Sequence, residues 1–455
     1  MRGRATKPRS HEATKERHGK ATKPSRLDRD RLRHEATKGT VTRKIAFITG
    51  TRAEYGLLRS TMEAIHKGKG LQLQVVATGT HLLKKFGHTI DDVVADGWPV
   101  DARVPMQRGD DRALDQAEGL ARGVAGIARF LEQAQTDIVV VLGDRIEAMA
   151  GALAGATTGR VVAHIHGGDV AAGDWDDTLR HSITKLSHLH FPATESAGRR
   201  IVRMGESADR VHVIGAPGLD RLAELVRHQR DGRHTPTITG MTRGRPADRA
   251  AAHRPSLALD ASRKGEPLRV RKESRSRAII VQHPCGRSAA HEKKVMNAVL
   301  RAVDETGLAA LCIYPNSDRG HSGIVEAIEA HRRRADPERF RVVRSMARDD
   351  YLRALIEADL LIGNSSSGII EAASAGTAVV DIGPRQRGRE PSGSSIVHCD
   401  ETHEAIRGAI RSALRKRPIM GGRTVYGDGN AGPRVAAVLA SVPLDETLLR
   451  KTIAY

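Results

Sequence analysis

Short apolar runs recur along most of this chain, each closed by glycine and by polar or charged residues. In the first half they cover residues 44–49, 73–77, 137–142, 160–165, 189–191 and 211–214. In the second half they cover 278–282, 309–314, 340–343, 360–362 and 378–382. Helical periodicity fills the intervals, beginning near Gly56 in the first, then at 146–156 and 292–306. Apolar strands alternating with helices predict parallel sheets with crossover helices. The pattern occurs twice, so the expected fold class is α/β, with two Rossmann-like units facing across a cleft. Ligands of such open sheets sit outside the carboxyl ends of the strands. The exit turns are therefore where chemistry is to be sought.

Length supports two units, since 455 residues exceed one ordinary core. The expected division is a basic tail at 1–43, a first domain at 44–222 and a linker with an insertion at 223–277. A second domain at 278–425 and a tail at 426–455 complete it. The formal charge of +20 suggests nucleic acid until it is located. Residues 1–44 carry +10 and residues 230–277 carry +8, which leaves a nearly neutral body. Both stretches are poor in large apolar residues and are expected to be disordered. HEATK occurs at 11–15 and again at 34–38, a low-complexity pattern. Cys285, Cys312 and Cys399 have no CxxC spacing and read as free thiols in a reducing compartment. No apolar run approaches membrane-spanning length, and no hydrophobic leader core is present. The expectation is a cytoplasmic protein that binds neither membrane nor nucleic acid.

Residues 363–390 carry the strongest chemical signal. A strand-like run stops at Gly363-Asn364-Ser365-Ser366-Ser367-Gly368, and a helix with Glu371 in its first turn is expected to follow. Free N–H groups and serine hydroxyls at a helix N-terminus suit a diphosphate. Arg385, Arg387 and Arg389 follow the next strand and supply positive charge, as do Arg52, Arg145 and His283 at other exits. No GxGxxG follows the first strand and no GxxxxGK[ST] appears there, so both dinucleotide and Walker A readings fail. Asp144, Asp169, Asp176 and Asp177 gather in the first half near histidines, as proton abstraction and return require. Helix capping is the plainer role for Asp176 or Asp177. Glu371 reads equally as a helix charge or as an acceptor for ribose hydroxyls. His188 and His190 alternate along an apparent strand, one facing the cleft and the other the core. Neither HExxH nor an EF-hand spacing occurs, so no metal is expected.

The motifs TGTRAEYG, LGDRIEA, HIHGGD, DDTLRHSITKLSHLHF, VIGAPGLD, QHP, YPNSD, GNSSSGIIE, RQRGRE and YGDGNAGPR follow one another in this order. Together they resemble the hydrolysing UDP-N-acetylglucosamine 2-epimerases of sialic-acid and related nonulosonate synthesis. The resemblance spans Lys44 to about Asp220 and about Ala278 to Tyr455. It implies a GT-B arrangement of the two domains, with the nucleotide held mainly by the second. The implied reaction is anti elimination of UDP to an enzyme-bound 2-acetamidoglucal. Water then adds and N-acetylmannosamine and UDP leave, without metal or nicotinamide cofactor. The resemblance places nucleotide contacts on Arg52, Arg145, His283, Asn316, Ser365, Ser366, Glu371 and Arg385, and acid/base carboxylates on Asp144 and Asp176. His166 stands where some members carry a catalytic glutamate, and Asp169 replaces the glutamate after the paired glycines. Either His166 or Asp169 takes that proton-transfer role, so the catalytic candidates are Asp144, His166, Asp169, Asp176 and His283. The rival readings are a non-hydrolysing epimerase and a GT-B glycosyltransferase. The substrate expected is UDP-N-acetylglucosamine or a related UDP- or GDP-linked sugar, turned over by a dimer or tetramer.

Overall fold

Among the described residues, twelve strands form two six-stranded parallel sheets. The first contains β1 (Arg43–Thr49), β2 (Leu71–Thr78), β3 (Ala102–Val104), β4 (Ile138–Leu142), β5 (Val161–Ile165) and β6 (Leu189–Phe191). The second contains β7 (Arg277–Val281), β8 (Ala309–Ile313), β9 (Phe340–Val343), β10 (Leu360–Gly363), β11 (Ala378–Ile382) and β12 (Ile396–Cys399). This computed structural model describes residues 42–108, 113–171, 176–230, 277–316, 318–416, 418, 420–421 and 424–455. The HEATK repeats and basic residues 231–276 lie outside them. Among the described residues no helix is long and apolar enough to cross a membrane.

The strand orders are β3-β2-β1-β4-β5-β6 and β12-β11-β10-β7-β8-β9, so each sheet is doubly wound in the Rossmann order. Period-two alternation explains the layering. Ile45 and Phe47 of β1 pack with Leu58, Met62 and Ile65 of the helix Arg52–Lys67. Ala46 and Ile48, pointing the other way, pack with Ile127 and Leu131 of the helix Ala113–Gln133. In the second sheet Ile280, Ile362 and Val380 meet Met296 and Ile406, while Ile279, Leu361 and Val379 meet Leu352 and Ile369.

Several elements differ from the sequence expectation. The first helix starts at Arg52, four residues before Gly56, because Thr51 and Glu54 form a capping arrangement. Thr51 Oγ1 accepts from the Glu54 N–H at 3.3 Å, and Glu54 Oε2 accepts from the Gly50 N–H at 2.9 Å. Residues 211–214 make only an isolated bridge at Val211 rather than a strand. The short edge strands β3 and β12 are less apolar than their neighbours and carry no strand signal in the sequence.

The chain crosses between the halves twice. Leu219, Leu222, Leu225 and Val226 of the helix Gly218–Arg230 join the core of the second sheet. Val435 and Leu439 of the helix Ala431–Ser441 return to the core of the first. Asp220 ties the crossings together. Its carboxylate accepts from the N–H groups of Ala431 at 2.8 Å and Gly432 at 2.7 Å, which caps the returning helix. Replacing this buried cap in Asp220→Ala is expected to cost about 1–3 kcal/mol of stability. Denaturant unfolding measures it, and an unchanged midpoint would show that the cap is dispensable.

Candidate active site

In each sheet the strand order reverses between its two central strands, which are β1 and β4 in the first and β7 and β10 in the second. The turns leaving these strands, with those after β5, β8 and β11, bring the charged residues together. Gly363 makes the turn after β10 possible. Its φ is +133°, and a Cβ there would lie 2.0 Å from the Val281 carbonyl oxygen, so only glycine fits. Asn364 then clamps β10 to β7, accepting from the His283 N–H at 2.7 Å and donating from Nδ2 to the His283 carbonyl at 2.8 Å. Gln386 Nε2 donates to the Asn364 carbonyl at 2.8 Å and anchors the loop that carries Arg385.

The serine turn is narrower than its sequence suggests. Ser365 caps a helix of only five residues, Ser366–Ile370, and its hydroxyl accepts from the Ser367 N–H at 3.4 Å. Glu371 is the C-cap of that helix, so the expectation that it sits in the first turn is overturned. The buried Glu371 carboxylate is held by Arg348, with Nη1 at 3.3 Å from Oε2, and by the Ser367 hydroxyl at 2.6 Å. Tyr351 donates to the same hydroxyl at 2.6 Å. Arg348 gave no sequence signal because it lies 23 residues from its partner. Of the three arginines after β11, Arg387 turns outward to the exposed Asp400, while Arg385 and Arg389 face the first half.

Three ion pairs join the two halves here. Arg145 Nη1 lies 3.6 Å from Asp318 Oδ1, Arg385 Nη2 lies 4.0 Å from Asp176 Oδ2, and Arg389 Nη1 lies 3.5 Å from Asp169 Oδ2. Arg52 adds a hydrogen bond at 2.5 Å to Ser345, while its Nη2 pairs with Asp92. His283 is neutral, since burial pushes its imidazole down to about 3. The Asn316 N–H donates to its Nδ1 at 3.1 Å, so the ring carries its proton on Nε2. His283 and Asn316 therefore form one hydrogen-bonded unit beside Asp318, which accepts from Asn316 Nδ2.

The carboxylates of the first half have distinct environments. Asp144 is tightly paired with the buried Arg180, which also donates to Asp177 at 3.1 Å. For Asp169, burial opposes ionisation, but the His166 hydrogen bond at 3.3 Å and the Arg389 charge prevail and hold it below the aspartate range. Burial raises Asp176 above that range, with Arg385 opposing the shift and Asp318 adding to it. His166 itself has φ +61°, an uncommon left-handed conformation for a non-glycine residue. His188 and His190 take no part. Nδ1 of His188 accepts from the Val162 N–H, and the buried His190 pairs with Glu206 at 3.1 Å. Sequence reading missed Arg180, Arg348 and Asp318 as members of this cluster. Asp318 was visible only as the last residue of YPNSD.

Beneath the cluster, Glu147 is fully buried between Arg145 Nε at 3.3 Å and Gln107 Nε2 at 3.1 Å. Gly50 leaves room for it, since a Cβ there would lie 2.4 Å from Glu147 Cγ. Burial pushes the neighbouring Glu54 carboxyl from 4.5 up to about 8, and Glu147 adds to the rise.

A family profile described as UDP-N-acetylglucosamine 2-epimerase matches residues 63–440. The chain is 32% identical to a UDP-N,N'-diacetylbacillosamine 2-epimerase (hydrolyzing) of Legionella pneumophila, over 91% of this chain and 100% of that relative. It is 30% identical to a UDP-N-acetylglucosamine 2-epimerase of Neisseria meningitidis, over 82% of this chain and 87% of the relative. Among solved structures, S. aureus MnaA with UDP aligns with a TM-score of 0.67 at 17% identity, covering 87% of this chain and 96% of that one. The fold is thus that of this group, two Rossmann-like units in a GT-B-like arrangement.

The Glu54 environment gives a signed pH dependence. Between 4.5 and about 8 the unfolded chain has released this proton and the native protein retains it, so stability falls as pH rises through that window. Glu54→Gln keeps the acceptor for Gly50 and removes the titration. The variant is expected to lose less Tm than wild type between pH 5 and pH 8, as about one ionisation is removed. Parallel pH profiles of thermal unfolding would refute the assignment.

Proposed function

The chain belongs to the UDP-N-acetylglucosamine 2-epimerase family, and on that premise we propose that it is a hydrolysing 2-epimerase of a UDP-linked 2-acetamido sugar. The observation that carries this reading is the set of three cross-half ion pairs. They bring Arg385, a cation suited to a diphosphate, against Asp176, a carboxylate suited to moving a carbon-bound proton, and turn Arg145 of the first half toward the second. In this reading Arg145, Arg385, Ser365 and Ser366 receive the diphosphate, with neutral His283 donating from Nε2. Arg52 and Asn316 complete the nucleotide contacts. Glu371 accepts ribose hydroxyls from a position fixed by Arg348.

The chemistry then proceeds in two halves. A carboxylate removes the proton at C2 while the C1–O bond breaks, and UDP departs with the bonding electrons. Water next adds across the C1–C2 double bond, placing hydroxyl on C1 and a proton on the opposite face of C2. Asp144, held in place by its pair with Arg180, suits the base. Asp176, with its raised affinity for a proton, suits the acid, since carboxyls whose environments diverge divide such roles. Asp169 remains ionised between His166 and Arg389 and orients His166. The domain division at 44–222 and 278–425, with a dimer or tetramer as the working state, belongs to the same proposal. The product, an N-acetylmannosamine-type sugar, would feed synthesis of sialic-acid-like sugars.

Incubation with UDP-N-acetylglucosamine and with UDP-N,N'-diacetylbacillosamine is expected to release UDP and the free 2-epimer in equal amounts. In deuterium oxide the product gains one deuterium at C2. A stable UDP-linked 2-epimer, or transfer to an acceptor sugar without deuterium, would overturn the proposal. Asp144→Asn is expected to lower kcat by about 10²–10⁴ with a much smaller change in KM. A change confined to KM would remove Asp144 from the proton-transfer step.

A further inference from the structure

The arginines of the site fall into two classes by how they are held. Arg180 and Arg348 are locked in close pairs with Asp144 and Glu371. Arg385 and Arg145 lie 4.0 and 3.6 Å from Asp176 and Asp318, beyond direct hydrogen bonding. Their contacts with these two carboxylates are electrostatic, and Glu147 anchors Arg145 through Nε at 3.3 Å, so an incoming anion can take over the free ends of both guanidinium groups without breaking a hydrogen bond to Asp176 or Asp318. Arg385 is already poised for this exchange, because Nη1 points to the Asn364 carbonyl at 3.5 Å, at the mouth of the serine turn.

Asp176 and Asp318 face each other across the same charges. Four charged groups surround Asp176: Asp177 beside it on the helix Asp176–Leu186, Arg145 after β4, and Arg385 and Asp318 from the second half. Arg145, Arg385 and the neutral His283 face Asp318. Two carboxylates therefore share two guanidinium groups. We infer that nucleotide binding moves Arg385 and Arg145 from this carboxylate pair to the diphosphate, and that the pair takes up one proton from solvent in exchange.

The physical reason is charge balance. A cation within about 4–6 Å lowers a carboxyl pKa by about 1–3 units. The diphosphate withdraws that benefit and adds negative charge of its own. Asp176 is already raised by burial, so it is the member of the pair poised to accept the proton. The exchange has a consequence for the reaction proposed above, on which this inference builds. Asp176 would be loaded, by the arrival of the nucleotide, with the proton it later gives to C2.

Calorimetric titration with UDP-glucose tests this, since its diphosphate carries no proton that titrates near neutrality. Heats measured in buffers of different ionisation enthalpy, from about pH 5 to about pH 7, count the protons exchanged. Wild-type protein is expected to take up close to one proton over part of this range. Its affinity should rise by up to about tenfold for each pH unit lowered there. Asp176→Asn is expected to bind UDP-glucose with the uptake lost, and Asp318→Asn to bind with the uptake reduced. Binding without proton uptake in the wild type, or uptake undiminished in both variants, overturns the inference alone. No binding heat at all refutes the nucleotide site itself, and this inference with it.

Discussion

Asp169 and Asp176 lie on the first half of the molecule, and the guanidinium groups that face them, from Arg389 and Arg385, lie on the second. Arg145 reverses the arrangement, projecting from the first half toward Asp318 on the second. Charges set among apolar strand ends are costly without partners, and here each half supplies the partners of the other. This reciprocity fixes which faces of the two sheets meet. It also places proton-moving groups and leaving-group cations within one cluster, although they belong to different layers.

Sequence pattern revealed the layers because both sheets are parallel and buried. A run such as Ile138–Leu142 has no polar face to confuse its reading, and glycine marks its exit. The edge strands Ala102–Val104 and Ile396–Cys399 lack that clarity, since they are short and partly exposed. Strand exits were also legible, so Arg52, Asp144, Arg145, His283 and the serine turn could be named without coordinates. What could not be read is pairing across long sequence distance. Arg348 with Glu371 and Arg180 with Asp144 depend on how helices rotate against strands, and that is settled by packing. Arg387, between two arginines that face inward, turns outward for the same reason.

Glu371 illustrates how a correct residue was given an incorrect setting. The hydroxyl-rich turn predicted a helix long enough to present a useful dipole, with the glutamate near its positive end. The helix ends after one turn, and Glu371 instead closes a buried chain through Ser367 to Tyr351 and an ion pair with Arg348. Rigidity of this carboxylate comes from those partners. The turn consequently offers an anion its N–H groups and hydroxyls, with most of the positive charge arriving from side chains.

The double crossing of the chain also bears on how the protein is made. Ala431, Val435, Ala436, Leu439 and Leu448 complete the apolar core beneath β1 and β2, which are among the earliest strands to leave the ribosome. The first layer must therefore wait until residue 448 has been made before this surface is covered, although domains usually fold in order of synthesis. Until then that apolar face is open to solvent. The helix Ala431–Ser441 and Leu448 act as the closing stitch of the half that precedes the crossing.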